Sequence, residues 1–134
     1  MKKDIEIKEV KDVYIAAVLE QSENKEDAWL IYLINDLGVM IEGVMISSKG
    51  HEDMEGKVLR TAIMRHRIGN VPFKTAVKVE FIDSQVFGIF NEYWVSFFLE
   101  GKVMEKKFTF GPHTIDKGFL EDLPVLTQKG ILVK

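Results

Sequence analysis

The stretch YWVSFFLEGKVMEKKFTF, residues 93–110, decides how this chain is read. Residues 93–99 are rich in the aromatic and β-branched side chains that pack well on a pleated strand. Glu100-Gly101 follows, a two-residue turn in which glycine supplies the left-handed backbone a tight hairpin needs. Residues 102–110 then return as a second strand. Two strands joined by so short a turn must run antiparallel, because a parallel pair needs a long crossover.

The same grammar extends outward in both directions. Residues 13–19 (VYIAAVL) and 29–34 (WLIYLI) are apolar at every position, which reads as central strands covered on both faces. Asn35-Asp36-Leu37-Gly38 has turn chemistry, so 29–34 and 39–46 are expected to form a hairpin. Gly43 within 39–46 marks a bulge or a close contact. Residues 47–56 (SSKGHEDMEG) read as a polar loop, and 57–65 fit strand or helix equally. Residues 75–82 (TAVKVEFI) alternate, placing Val77, Val79 and Phe81 inward and Lys78 and Glu80 outward. A strand over 86–90 would end at a turn at Asn91-Glu92. Residues 114–122 read as a short helix, with Thr114 or Asp116 as N-cap and Pro124 ending it. The tail 125–133 is extended.

The sum is eight or nine short strands with hairpin connections. That indicates an all-β, antiparallel β-sandwich of immunoglobulin-like or C2-like type, with one short helix near the C-terminus. There is no repeat, low-complexity tract or linker, and residues 1–134 read as one domain. A chain of this length buries roughly two-thirds of its unfolded surface.

Composition excludes several functions. The chain has no cysteine, so disulfides, thiolate chemistry and cysteine-ligated zinc are ruled out, and a cytoplasmic location is expected. MKKDIEIKEVKD lacks the apolar core of a signal peptide, and no apolar run is long enough to span a membrane. The net charge of −3 argues against a general nucleic-acid coat while allowing a local basic patch.

Motifs of catalysis and cofactor binding are missing. There is no G-x-S-x-G, no phosphate loop and no G-x-G-x-x-G, so no cofactor is expected. HEDME, residues 51–55, begins like a zinc-protease motif but has Glu55 where a second histidine is needed. His51, Glu52, Asp53 and Glu55 read as a solvated acidic loop. Glu42 sits among apolar residues, where burial would make it an acid; its place beside Gly43 favours an outward position.

Two clusters remain as candidate sites. RTAIMRHRIGN, residues 60–70, holds every arginine of the chain, Arg60, Arg65 and Arg67, with His66 between the last two. As a strand it sets Arg65 and Arg67 on one face and Arg60 and His66 on the other. All four converge only if the chain bends at Ile68–Pro72; otherwise the arginines pair with local carboxylates. The second cluster is aromatic. Tyr93 and Phe97 share one strand phase, and Trp94 and Phe98 share the other. Because the aromatics fall on both faces, some must fill the core, which is the first reading; a phase left uncovered would be a contact for a second copy of the chain or another protein and, third, a platform for stacking bases.

EVKDVYIAAV, WLIYLIN, MRH, NEYWVSFFLEGKVMEKKFTF and LPVLTQKGILVK together resemble a family of short, cysteine-poor bacterial proteins that carry the label phenylalanyl-tRNA synthetase alpha subunit. The three arginines match neither of the arginine-bearing motifs of a class II synthetase, and 134 residues are too few for its catalytic domain. YLIND and the strand after it resemble, over about a quarter of the chain, a β-domain that accompanies Smr nuclease-like domains. Neither resemblance assigns a role to a residue. The expectation is a non-enzymatic binding or protein-interaction module. The alternatives are a nucleic-acid or tRNA-associated accessory protein and a small-molecule carrier with its pocket between the sheets.

Overall fold

The computed structural model describes residues 10–21, 23–24, 26–52 and 63–133. Among these, nine strands form two antiparallel sheets. They are β1 (Val13–Gln21), β2 (Asp27–Asn35), β3 (Ile41–His51), β4 (Met64–Val71), β5 (Thr75–Ile82), β6 (Phe90–Leu99), β7 (Lys102–Phe110), β8 (Glu121–Asp122) and β9 (Lys129–Val133). One sheet has the order β5-β2-β1-β9-β8 and the other β4-β3-β6-β7. The all-β sandwich read from the strand pattern is the observed architecture.

The unbroken apolar run of β1 has a direct cause. Val13, Ile15 and Ala17 point between the sheets, into a core shared with Ile31 and Leu33 of β2 and with Val44, Ile46, Val95, Phe97 and Phe108 of the second sheet. Ala16 and Val18 point the other way and pack with Tyr32, Ile34 and Leu123. The first sheet is thus buried on both faces, its outer side covered in part by the segment around Leu123 and Leu126. Close packing of β9 on β1 requires glycine, since a Cβ on Gly130 would lie 2.4 Å from the Ala17 carbonyl oxygen.

The hairpin of residues 93–110 forms as read, with Leu99 opposite Lys102. Glu100 and Gly101 both take positive φ, 49° and 81°, the type I′ geometry whose twist matches the strands.

Residues 29–34 and 39–46 do not form a hairpin. β2 pairs with β1 and β5, and β3 pairs with β4 and β6, so the connection between them crosses from one sheet to the other. Asn35 explains the difference. Fully buried, it accepts from the Leu37 N–H at 3.0 Å and shares its amide hydrogens among the carbonyls of Val39, Val71 and Pro72 at 3.0, 3.1 and 3.0 Å. The last two carbonyls belong to the second crossing, β4 to β5. One side chain therefore ties together two inter-sheet arches and takes up polar groups that a hairpin would have paired.

Other local readings change as well. Residues 47–51 belong to β3 rather than to a loop, where Ser48 donates to a half-buried Glu80 and His51 pairs with a buried Glu92. The span 86–90 holds no strand of its own: a 3-10 turn at Ser84–Val86, capped by the Asp83 carboxylate, precedes β6. Asn91 and Glu92 are buried strand residues instead of a turn, Asn91 donating to the carbonyls of Val86 and Ile89. The expected helix over 114–122 shrinks to one 3-10 turn, Lys117–Phe119, capped by Asp116. No helix among the described residues is long and apolar enough to cross a membrane.

Candidate functional site

The two faces of β6 have opposite fates. Tyr93 and Phe97 are core residues, packed between the sheets, as the core-filling reading has it, which removes them as candidate interface aromatics. Trp94 and Phe98, in the other phase, lie on the outer face of the second sheet and are 46% and 47% exposed. The strand pairing sets their neighbours. Arg65, Ser47, Trp94 and Lys107 form one row across β4, β3, β6 and β7. Arg67, Met45, Ser96 and Glu105 form the next row. Phe98 and Val103 continue the third, beside an exposed Glu42 on a bulged end of β3.

The arginine cluster and the aromatic cluster, separate in sequence, therefore meet on one surface. Arg65, Met45, Trp94, Ser96 and Glu105 line a shallow depression of about 230 Å³. The Lys107 ammonium sits 5.5 Å from the centre of the Trp94 ring, within cation–π range.

His66 lies elsewhere. It is in the opposite phase of β4 and points between the sheets. The bend at Ile68–Pro72 on which convergence depends does not fold the cluster back, because β4 continues to Val71 with its irregularity absorbed at Gly69. Arg60 lies outside the described residues, as do Asp53, Glu55 and residues 57–62.

Pairing of Arg65 and Arg67 with local carboxylates, the simplest expectation for surface charge, is also not what is found. Lys49, Lys74, Lys78, Lys117 and Lys129 each approach a carboxylate within 4.0 Å. Among the described residues, Arg65, Arg67 and Lys107 have no carboxylate within that reach.

Two carboxylates, a half-buried Glu80 and a buried Glu92, escaped the sequence reading. Glu80 was expected to point outward and Phe81 inward, but β5 is bulged where it pairs with Ile31 and Tyr32. The extra residue shifts the phase, leaving Phe81 66% exposed and Glu80 facing the second sheet. There Glu80 accepts from Tyr93 at 2.9 Å through Oε2, and its Oε1 accepts from Ser48 at 2.9 Å and pairs with His66 Nε2 at 2.7 Å. One carboxylate from the first sheet thus gathers groups from β3, β4 and β6 of the second. Ser48 gives its proton to the same oxygen that His66 contacts, so His66 is not placed as its base. This geometry ties the sheets together and does not activate a nucleophile.

The second pair is His51 Nε2 with Glu92 Oε1 at 2.6 Å, both side chains buried, with the His51 ring stacked on Phe90. Glu52 is exposed. Among the described residues no group of three or more histidines and carboxylates is placed to hold a metal.

Burial first, and then the charge of Glu80, push the Tyr93 hydroxyl far above the ordinary phenol range. The fold keeps this proton after the unfolded chain has released it. The stabilisation is complete below about pH 10 and is lost as pH rises past it. Tyr93→Phe is expected to lower stability at pH 7 by about 1 kcal/mol and to flatten the loss above pH 10. Urea titrations from pH 7 to 11 measure both; curves for the two proteins that stay parallel would contradict the assignment.

Comparison with known protein families, with curated proteins and with solved structures gives no match.

Proposed function

We propose that this protein is a non-enzymatic binding module that takes an anionic partner on the outer face of its four-stranded sheet. One observation carries the reading: two arginines that have no carboxylate partner among the described residues, Arg65 in the row of the exposed Trp94 and Arg67 in the next row, in a chain whose net charge is −3. Exposed guanidinium groups are usually only solvated. A free pair beside a large exposed ring is the arrangement that recognises carboxylate or phosphate with added apolar contact.

A second copy of the chain fits less well. The face carries three cations, Arg65, Arg67 and Lys107, against two carboxylates, Glu105 and Glu42, so it keeps an excess of positive charge that a second identical face does not neutralise. A carrier with its ligand between the sheets has less support, because Phe97, Phe108, Phe110 and Tyr93 fill that space. The cysteine-free composition supports a cytoplasmic place of action.

Retention on a heparin column tests the proposal. An acidic protein has no general reason to bind a polyanion, so retention reports a local patch. The wild type is expected to be retained at low salt and released as salt rises; Arg65→Ala/Arg67→Ala is expected to flow through. A wild type that flows through would remove the proposal.

A further inference from the structure

We infer that the occupant of this face is a single strand of nucleic acid, held over about four nucleotides. The inference rests on the anion-binding reading above and adds to it the recognition of bases.

Scale is the first argument. Three inter-strand gaps of about 4.8 Å and four residues of β6 at about 3.3 Å enclose a face of about 190 Å². A stable protein partner takes about 800 Å² from each side. The patch is too small for that and is the right size for a short run of nucleotides. Trp94 and Phe98, four residues apart on one strand, are separated by about 13 Å. That matches the rise of about four stacked nucleotides.

Chemistry is the second argument. Trp94 and Phe98 offer rings to any base without demanding a sequence. Arg65 and Arg67 lie two strands from the β6 axis, about 10 Å away, on the edge where a backbone running beside the stacked bases would pass. Their planar forks suit phosphate, and among the described residues no carboxylate occupies them. Lys107 flanks Trp94 from the other side. Glu105 repels phosphate but ends the Arg67 row on the far edge, where a carboxylate suits the exocyclic amine of a base. An acidic peptide would use the arginines equally well but would cover the two rings only where its sequence supplies aromatic side chains, whereas every nucleotide carries a base.

The test is fluorescence anisotropy with labelled eight-nucleotide oligomers of uridine and of thymidine, a DNA duplex, inorganic polyphosphate as competitor, and an acidic glutamate–tyrosine peptide. Either single strand is expected to bind more tightly than the duplex. Trp94→Ala is expected to weaken that binding about five-fold or more without changing competition by polyphosphate. Arg65→Ala/Arg67→Ala is expected to reduce the slope of log K against log salt by about 1.4. Phe119→Ala, an exposed ring elsewhere on the surface, is the control and is expected to change nothing. Circular dichroism confirms that each variant is folded. Binding that ignores Trp94, or polyphosphate that binds as well as the oligomers, would overturn the nucleic-acid assignment and leave the anion surface standing. A peptide that binds more tightly than the oligomers would overturn it in favour of a protein partner. Absence of binding to every polyanion would overturn both.

Discussion

Asn35→Ala is expected to destabilise the protein by about 3–5 kcal/mol, the largest effect of any polar substitution considered. The side chain is fully buried and serves one N–H and three carbonyls. Leaving a buried polar group unsatisfied costs about 1–3 kcal/mol, and water reaching the gap recovers part of the sum. A domain of this size has about 5–15 kcal/mol in all. The carbonyls of Val71 and Pro72 and the backbone of Leu37 belong to different arches, so the loss uncouples both crossings between the sheets. Asn35→Asp keeps the acceptor for Leu37 but loses both donors and buries a charge, and it is expected to be no better. Urea unfolding checks this through the midpoint. A shift worth less than about 1 kcal/mol would show that the arches are held by the strands alone.

Glu80→Ala is expected to cost about 2–4 kcal/mol by the same reasoning, because it strands the hydroxyls of Ser48 and Tyr93 and the ring nitrogen of His66. Glu80→Gln keeps an acceptor oxygen and is expected to recover about half of that loss. A Glu80→Ala protein as stable as the wild type would mean that the cluster is solvated rather than structural. Neither substitution touches the outer face, so oligonucleotide binding by the folded fraction should be unchanged.

What the sequence made legible follows the range of the interaction. The hairpin at Glu100-Gly101 depends on two residues and their neighbours, and it was readable. So were the doubly covered β1 and the opposite phases of β6, which need only the pleat. The links that hold one sheet on the other were not readable. Asn35 looked like turn chemistry, since nothing local reveals the carbonyls of Val71 and Pro72 thirty-six and thirty-seven positions away. Glu80 looked solvent-facing because the alternation of 75–82 is clean and does not show the bulge formed where β5 pairs with Ile31 and Tyr32. His51 looked like part of a loop because its partner, Glu92, lies on another strand. For the candidate site, the phases of Arg65 and Arg67 and of Trp94 and Phe98 were each legible. Their meeting was not, since it depends on β3 lying between β4 and β6.

The central claim concerns Trp94, and its own emission tests it most directly. The chain has two tryptophans. Trp29 is buried with its ring edge-on to Phe87 at 6.0 Å, and Trp29→Phe leaves the emission of Trp94 alone. Stacking a base on that ring is expected to quench it saturably as a uridine eight-mer is added, over the range in which anisotropy reports binding. Added salt should restore it as the strand leaves Arg65 and Arg67. Trp94 emission that stays constant while the oligomer binds would contradict the claim that this face is the site.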